Sequence, residues 1–202
     1  RRTEFVVFPA GGSGRGIPVS SDLSIDHWIN VSDAYHFLVK ESGLLLCSER
    51  SGFAHLYYKD LSALSSLTQH ANNIQNDIIN TGDIDRDGGQ NGGYLASFSE
   101  TYGVLPGEFR PITAGDDWMV EDIEFVDEER KLVYFSSTMG SPLERQLCVA
   151  SYDEDAYASD IQMLTSPGST CSRFAFNRCG TRLVANFSST TRPTTTLVYD
   201  VE

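Results

Sequence analysis

The sequence predicts an all-β fold: a partial β-propeller of about three four-stranded blades with a long inserted loop. Two observations carry the prediction. Apolar or alternating runs, rich in Val, Ile, Phe, Tyr and Thr, are separated by Gly, Asp and Ser, the pattern of short strands and turns. Three such stretches also resemble one another, and a strand-built repeat near 50 residues indicates propeller blades rather than helical solenoids. Hydrophobic content of 40% excludes global disorder, and no apolar run approaches the ~18 residues a membrane span needs.

The first repeat is Leu44-Leu45-Leu46-Cys47-Ser48-Glu49 followed by His55-Leu56-Tyr57-Tyr58-Lys59-Asp60. The second is Leu132-Val133-Tyr134-Phe135-Ser136-Ser137-Thr138 followed by Leu147-Cys148-Val149-Ala150-Ser151-Tyr152-Asp153. The third is Leu183-Val184-Ala185-Asn186-Phe187-Ser188-Ser189-Thr190 followed by Leu197-Val198-Tyr199-Asp200. Thr113 and Thr165 are 52 residues apart, as are Ser136 and Ser188, and Phe125 and Phe176 are 51 apart. Blades are expected at about residues 20–61, 111–160 and 161–202 within one domain, 1–202. Residues 62–110 form an insertion whose start is the best helical candidate (62–80) and whose Asp83–Gly93 centre reads as a loop.

The charge balance is −13, from 15 Lys and Arg against 28 Asp and Glu. Without clustered cations the chain is not expected to bind nucleic acid, nor a membrane. Cys47, Cys148, Cys171 and Cys179 show neither a disulfide framework nor zinc-ligand spacing, and Cys47 and Cys148 read as core thiols. This favours a reducing compartment. The sequons Asn30-Val31-Ser32 and Asn186-Phe187-Ser188 point the other way. The sequence starts Arg1-Arg2 without an initiator Met or a visible signal peptide, which suggests processing, an engineered boundary or a fragment.

Candidate chemistry is sparse. Gly11-Gly12-Ser13-Gly14-Arg15-Gly16 fails the Gly-x-Ser-x-Gly nucleophile elbow at Arg15 and lacks a phosphate-loop ending, so Ser13 reads as part of a turn. His27, His36, His55 and His70 all fall early in the chain; His36 and His55, beside aromatics, read as packed structural residues. Asp83-Ile84-Asp85-Arg86-Asp87-Gly88 imitates the opening of a calcium loop, but Tyr94 stands where a bidentate Glu is needed, so a solvated acidic loop is expected. The run 116–129 carries eight carboxylates. Ile123 and Phe125, alternating with Glu124, mark a half-buried strand, and Asp127-Glu128-Glu129 a hairpin tip. The run reads as a solvated edge that deters strand pairing, or as an acidic rim attracting a peptide's amino end. No catalytic, cofactor-binding or metal-ligating residue is assigned.

One longer pattern is distinctive: Trp28-Ile29-Asn30-Val31-Ser32-Asp33-Ala34-Tyr35-His36-Phe37, Ser51-Gly52-Phe53-Ala54-His55-Leu56-Tyr57, Val126-Asp127-Glu128-Glu129-Arg130-Lys131-Leu132-Val133-Tyr134-Phe135 and Ser141-Pro142-Leu143-Glu144-Arg145-Gln146-Leu147. In this order the segments resemble the β-propeller of the dipeptidyl peptidase IV family, closest to the cytosolic dipeptidyl peptidases eight and nine. The similarity covers roughly residues 20–61 and 111–200; the stretch between Trp118 and Val126 is shorter than in those relatives. The resemblance implies a propeller coupled to an α/β-hydrolase whose Ser-Asp-His triad cleaves dipeptides after Pro or Ala, with a Glu pair binding the substrate amine. Neither the triad nor the Glu pair maps onto this chain. It is therefore expected to be a non-catalytic, cytoplasmic segment that gates access, its partners the peptide substrate, a C-terminal hydrolase domain and a second copy of the parent. By itself it should hydrolyse nothing. The alternative is a stand-alone propeller-like module that binds a partner through residues 62–110.

Overall fold

The computed structural model describes residues 2–8, 16–23, 30, 32–64 and 107–201. The Ser13 turn, His27, His70, most of the 62–80 helical candidate and the Asp83–Gly93 loop lie outside the described residues. The chain divides into two compact units, Arg1–Ile29 with Leu61–Gly107, and Asn30–Asp60 with Glu108–Glu202. In the first unit β1 (Arg2–Val7) and β2 (Ile17–Leu23) form an antiparallel ribbon.

The second unit contains three antiparallel sheets in chain order. Strands β3 (Tyr35–Leu38), β4 (Gly43–Ser48), β5 (His55–Asp60) and β6 (Phe109–Pro111) make the first sheet. Strands β7 (Val120–Asp127), β8 (Leu132–Ser137), β9 (Gln146–Ser151) and β10 (Ile161–Met163) make the second. Strands β11 (Thr170–Phe176), β12 (Arg182–Ser189) and β13 (Arg192–Asp200) make the third. Each is a meander, and the first strands β3, β7 and β11 are neighbours. This is a run of propeller blades. Phe109 and Arg110 pair with β5, so the first sheet draws its last strand from the end of the expected insertion. The second sheet extends to Met163.

The middle sheet explains why its strands read as continuous apolar runs rather than alternating ones. Successive side chains point to opposite faces, and both faces are covered. Val133 and Phe135 of β8, with Cys148 and Ala150 of β9, join Leu45, Cys47, Leu56 and Trp118 in the core against the first sheet. Tyr134 and Leu147 face the other way, into a core with Leu183 and Ala185 of the third sheet. Phe125 and Phe176, nearly one repeat apart, stack there at 5.0 Å. At the end of the β11–β12 hairpin turn, Gly180 takes φ +67°, a conformation suited to glycine. A Cβ there would also press into the Phe125 ring.

The repeated threonines are joints between consecutive sheets. Thr113 Oγ1 accepts the Leu56 amide at 2.9 Å and lies 3.2 Å from His55 Nδ1. Thr165 Oγ1 accepts the Leu147 amide at 3.0 Å and donates to Gln146 Oε1 at 2.5 Å. The residue before each pair completes the joint. The Ala54 carbonyl accepts from Val120 of β7 and the Arg145 carbonyl from Cys171 of β11, both at 2.8 Å. His55 and Gln146 thus hold one structural position.

The acidic hairpin tip is a second joint. Asp127 caps its own turn, accepting from the Glu129 and Arg130 amides and from Arg130 Nε. Both Glu128 carboxylate oxygens accept backbone amides of the β3–β4 turn, Val39 at 3.0 Å and Lys40 at 2.7 Å. Glu129 pairs with Lys40 Nζ at 3.0 Å. Asp127–Glu129 is therefore a clasp between neighbouring hairpins rather than a merely solvated edge.

Candidate functional site

Where β3, β7 and β11 come together, the second unit holds a cleft of about 670 Å3. Asp33 reaches it from the approach to β3, Glu49 from the end of β4, Glu121, Asp122 and Glu124 from β7, Arg145 from the start of β9, and Arg173 from β11. Five carboxylates thus face two guanidinium groups. Arg145 Nε donates to Glu121 Oε2, so one guanidinium is already engaged. Glu49 Oε1 accepts from Asn30 Nδ2 at 2.7 Å, and Asp122 Oδ1 accepts the Ile123 amide at 2.8 Å.

Two bulges in β7 create the acidic wall. The pairing with β8 shifts between Val120 and Asp122 and again between Ile123 and Phe125. A bulge adds a residue to one strand and re-aims the side chains beyond it. Ile123 therefore packs toward the first sheet and Phe125 toward the third, which corrects the simple alternation expected at 123–125. Glu124, between them, is half-buried. Burial raises its pKa, the charges of Asp122 and Glu121 add to the rise, and a hydrogen bond with Ser136 opposes it.

The cleft can bind but holds no activated nucleophile among the described residues. Burial pushes the Cys47 thiol up to about 11 and also raises Cys171; the thiolate is the reactive form. Cys47, Cys148 and Cys171 are buried and Cys179 is exposed. His55 is fully buried and satisfied on both ring nitrogens. The Gly115 carbonyl can only accept, so Nε2, 2.9 Å away, carries the ring proton, and Nδ1 accepts the Thr113 hydroxyl proton while the same oxygen accepts the Leu56 amide. A Cβ at Gly115 would overlap the Trp118 indole, whose ring meets His55 edge-on at 4.7 Å. His36 lies on β3, its pKa lowered by burial against the opposing charge of Glu128. Among the described residues, no three His, Cys, Asp or Glu side chains are grouped to hold a metal ion. The Asp83–Gly88 calcium-like stretch lies outside the described residues.

Of the two sequons, Asn186 lies within β12, with Oδ1 accepting from Thr196 Oγ1 at 2.9 Å. Sequence reasoning singled out the acidic run but missed Glu49, Arg145 and Arg173. They come from separate sheets, and no local pattern announces them.

The family model described as "Dipeptidyl peptidase IV (DPP IV) N-terminal region" matches residues 13–194. This chain belongs to that family. The dipeptidyl peptidase IV N-terminal region thus accounts for nearly the whole sequence, including the 62–110 stretch that the motif resemblance left out. The crystal structure of Porphyromonas gingivalis dipeptidyl peptidase 4 is similar in fold, with a TM-score of 0.56 and 19% identity, covering 92% of this chain and 19% of that chain. The chain therefore spans about a fifth of that relative's length.

Proposed function

We propose that this chain is a non-catalytic propeller segment of a serine dipeptidyl aminopeptidase that removes N-terminal Xaa-Pro and Xaa-Ala dipeptides. The observation that carries the reading is the acidic cleft between the first strands of three consecutive sheets, in a chain of the dipeptidyl peptidase IV N-terminal family. A wall of one sign along a cleft raises the local concentration of peptide ammonium groups. The segment's work is to narrow access, exclude folded proteins and form one wall of the substrate passage. Cleavage belongs to a hydrolase domain elsewhere in the parent enzyme. Within the family, the reading favours the cytosolic branch of dipeptidyl peptidases eight and nine, and a cytoplasmic parent that pairs with a second copy of itself.

The test starts with the natural polypeptide, captured with an antibody against residues 111–153. The expected result is an intact mass several times 22.3 kDa and release of Xaa-Pro dipeptides blocked by a serine-directed fluorophosphonate. Neutralising Glu121 and Asp122 in that enzyme should raise KM for free-amine peptides several-fold. A mass near 22.3 kDa, or no dipeptide release, overturns the reading.

A further inference from the structure

The two joints between sheets are built alike but filled differently. Strand register puts their residues in correspondence: Phe135 pairs with Cys148 across β8 and β9, and Phe187 with Thr195 across β12 and β13. Ala150 and Leu197 correspond in the same way. In the first joint Trp118 covers this position. Its indole lies nearly parallel to the Phe135 ring, 6.4 Å away at 17°, within the usual range for stacked aromatic pairs, and it shares a core with Cys148 and Ala150. The loop that delivers it is Ala114-Gly115-Asp116-Asp117-Trp118-Met119, between Thr113 and Val120. The loop of the second joint, between Thr165 and Cys171, is Ser166-Pro167-Gly168-Ser169-Thr170. It is one residue shorter and carries no aromatic side chain. Its course is nonetheless fixed. The Gly168 amide donates to Glu144 Oε2 at 3.0 Å, the Ser169 carbonyl accepts from Gln146 Nε2 at 2.9 Å, and Thr170 Oγ1 accepts the Arg145 amide at 3.0 Å.

Where the first joint has its indole, the second holds a pocket of about 620 Å3, a size usual for small-molecule sites. Phe187, Thr195 and Leu197 line it from β12 and β13, and Ser169 lines it from the loop. The Phe187 ring is steadied by Tyr199, 5.6 Å away. Arg192, at the start of β13, is the one charged side chain among the described residues that line the pocket, in a chain of net charge −13. An aromatic wall beside a single guanidinium, with hydroxyls between them, calls for a ligand with a flat apolar part and an anionic end. Stacking uses the Phe187 ring, and the planar guanidinium fork matches a carboxylate. We propose that this pocket binds a small aromatic carboxylate, its ring on Phe187 in the place that Trp118 takes in the first joint and its carboxylate on Arg192. The assignment goes beyond the peptidase reading and does not depend on it.

The test uses the complete natural polypeptide with indole-3-acetate as the probe, and binding is measured by calorimetry and saturation-transfer NMR. Binding should saturate. Indole-3-acetamide, the same ring without the charge, should bind about tenfold more weakly. Cyclohexylacetate, a carboxylate without a planar ring, should also bind weakly. Arg192→Gln should bring the acetate down to the acetamide's affinity and leave the acetamide's affinity unchanged. Ser169→Trp, which returns a ring to the loop, should abolish binding of both indole ligands, whereas Ser169→Ala should bind as wild type does. A melting temperature at or above wild type separates a filled pocket from a misfolded chain in the Ser169→Trp variant. The proposal is overturned if indole-3-acetate shows no saturable binding, whether the pocket lacks affinity or another part of the polypeptide covers it. It is equally overturned if the two indole ligands bind alike, or if binding survives in a folded Ser169→Trp variant. Dipeptide release by the same polypeptide is read separately, so the peptidase reading stands or falls on its own result.

Discussion

At the scale of single residues, the cleft's character depends on where charge is placed against burial. Glu124 sits half-buried on a bulged strand, with Glu121 and Asp122 adding to the rise in its pKa. A carboxyl whose folded pKa is raised disfavours the fold once it ionises, so its cost grows as pH rises through the unfolded value of about 4.3. Glu124→Gln should therefore raise the urea midpoint at pH 7, and the gain should fade below about pH 4. Urea titrations of both proteins from pH 3.5 to 7 check this, and parallel curves would refute it. Some residue roles were legible in the sequence. The aromatic neighbours of His55 announced a packed residue, but only its contacts with Thr113 and Gly115 identify the tautomer and rule out a free base. Arg173 was not legible. A bulge depends on how two strands pair, and nothing in Ser172-Arg173-Phe174 signals the skipped register.

At the scale of elements, sheets are joined by a device that repeats with the sequence. Thr113 and Thr165 each tie the opening of a third strand to the crossover beyond a fourth. Replacing Thr113 with Val keeps the shape but leaves the Leu56 amide and the His55 Nδ1 without a partner. Each unsatisfied buried group costs about 1–3 kcal/mol. Thr113→Val should therefore lower unfolding stability by about 2–6 kcal/mol, with Thr113→Ser close to wild type. Urea unfolding at constant m-value measures both, and a loss below about 0.5 kcal/mol would show that the joint does not hold the sheets. The 52-residue spacing was visible in the sequence. Its meaning was not, because the partner is His55 in one repeat and Gln146 in the other, two residue types that share only the ability to hydrogen-bond a hydroxyl.

At the scale of the whole molecule, the third sheet differs from the second. Its inner face is packed through Leu183 and Ala185, but β13 is exposed throughout and Val198 is 68% accessible. A long exposed strand with open backbone groups is a template for pairing with another chain. The 202-residue chain in isolation should self-associate with rising concentration, and Val198→Lys should reduce the associated fraction several-fold in light scattering. Equal association by both proteins would place the contact elsewhere.

Period and composition were sufficient to determine the all-β class, the repeat and the blade-like order, because strand propensity, turn residues and a recurring length are local properties of the chain. The hairpin tip at Asp127–Glu129 belongs with these. Tertiary structure alone decided what the tip clasps, which face each residue of β7 presents after its two bulges, and which charged side chains share the cleft. These depend on register and on neighbours distant along the chain, and a one-residue slip in pairing reverses a strand's faces. No reading of adjacent residues contains that information.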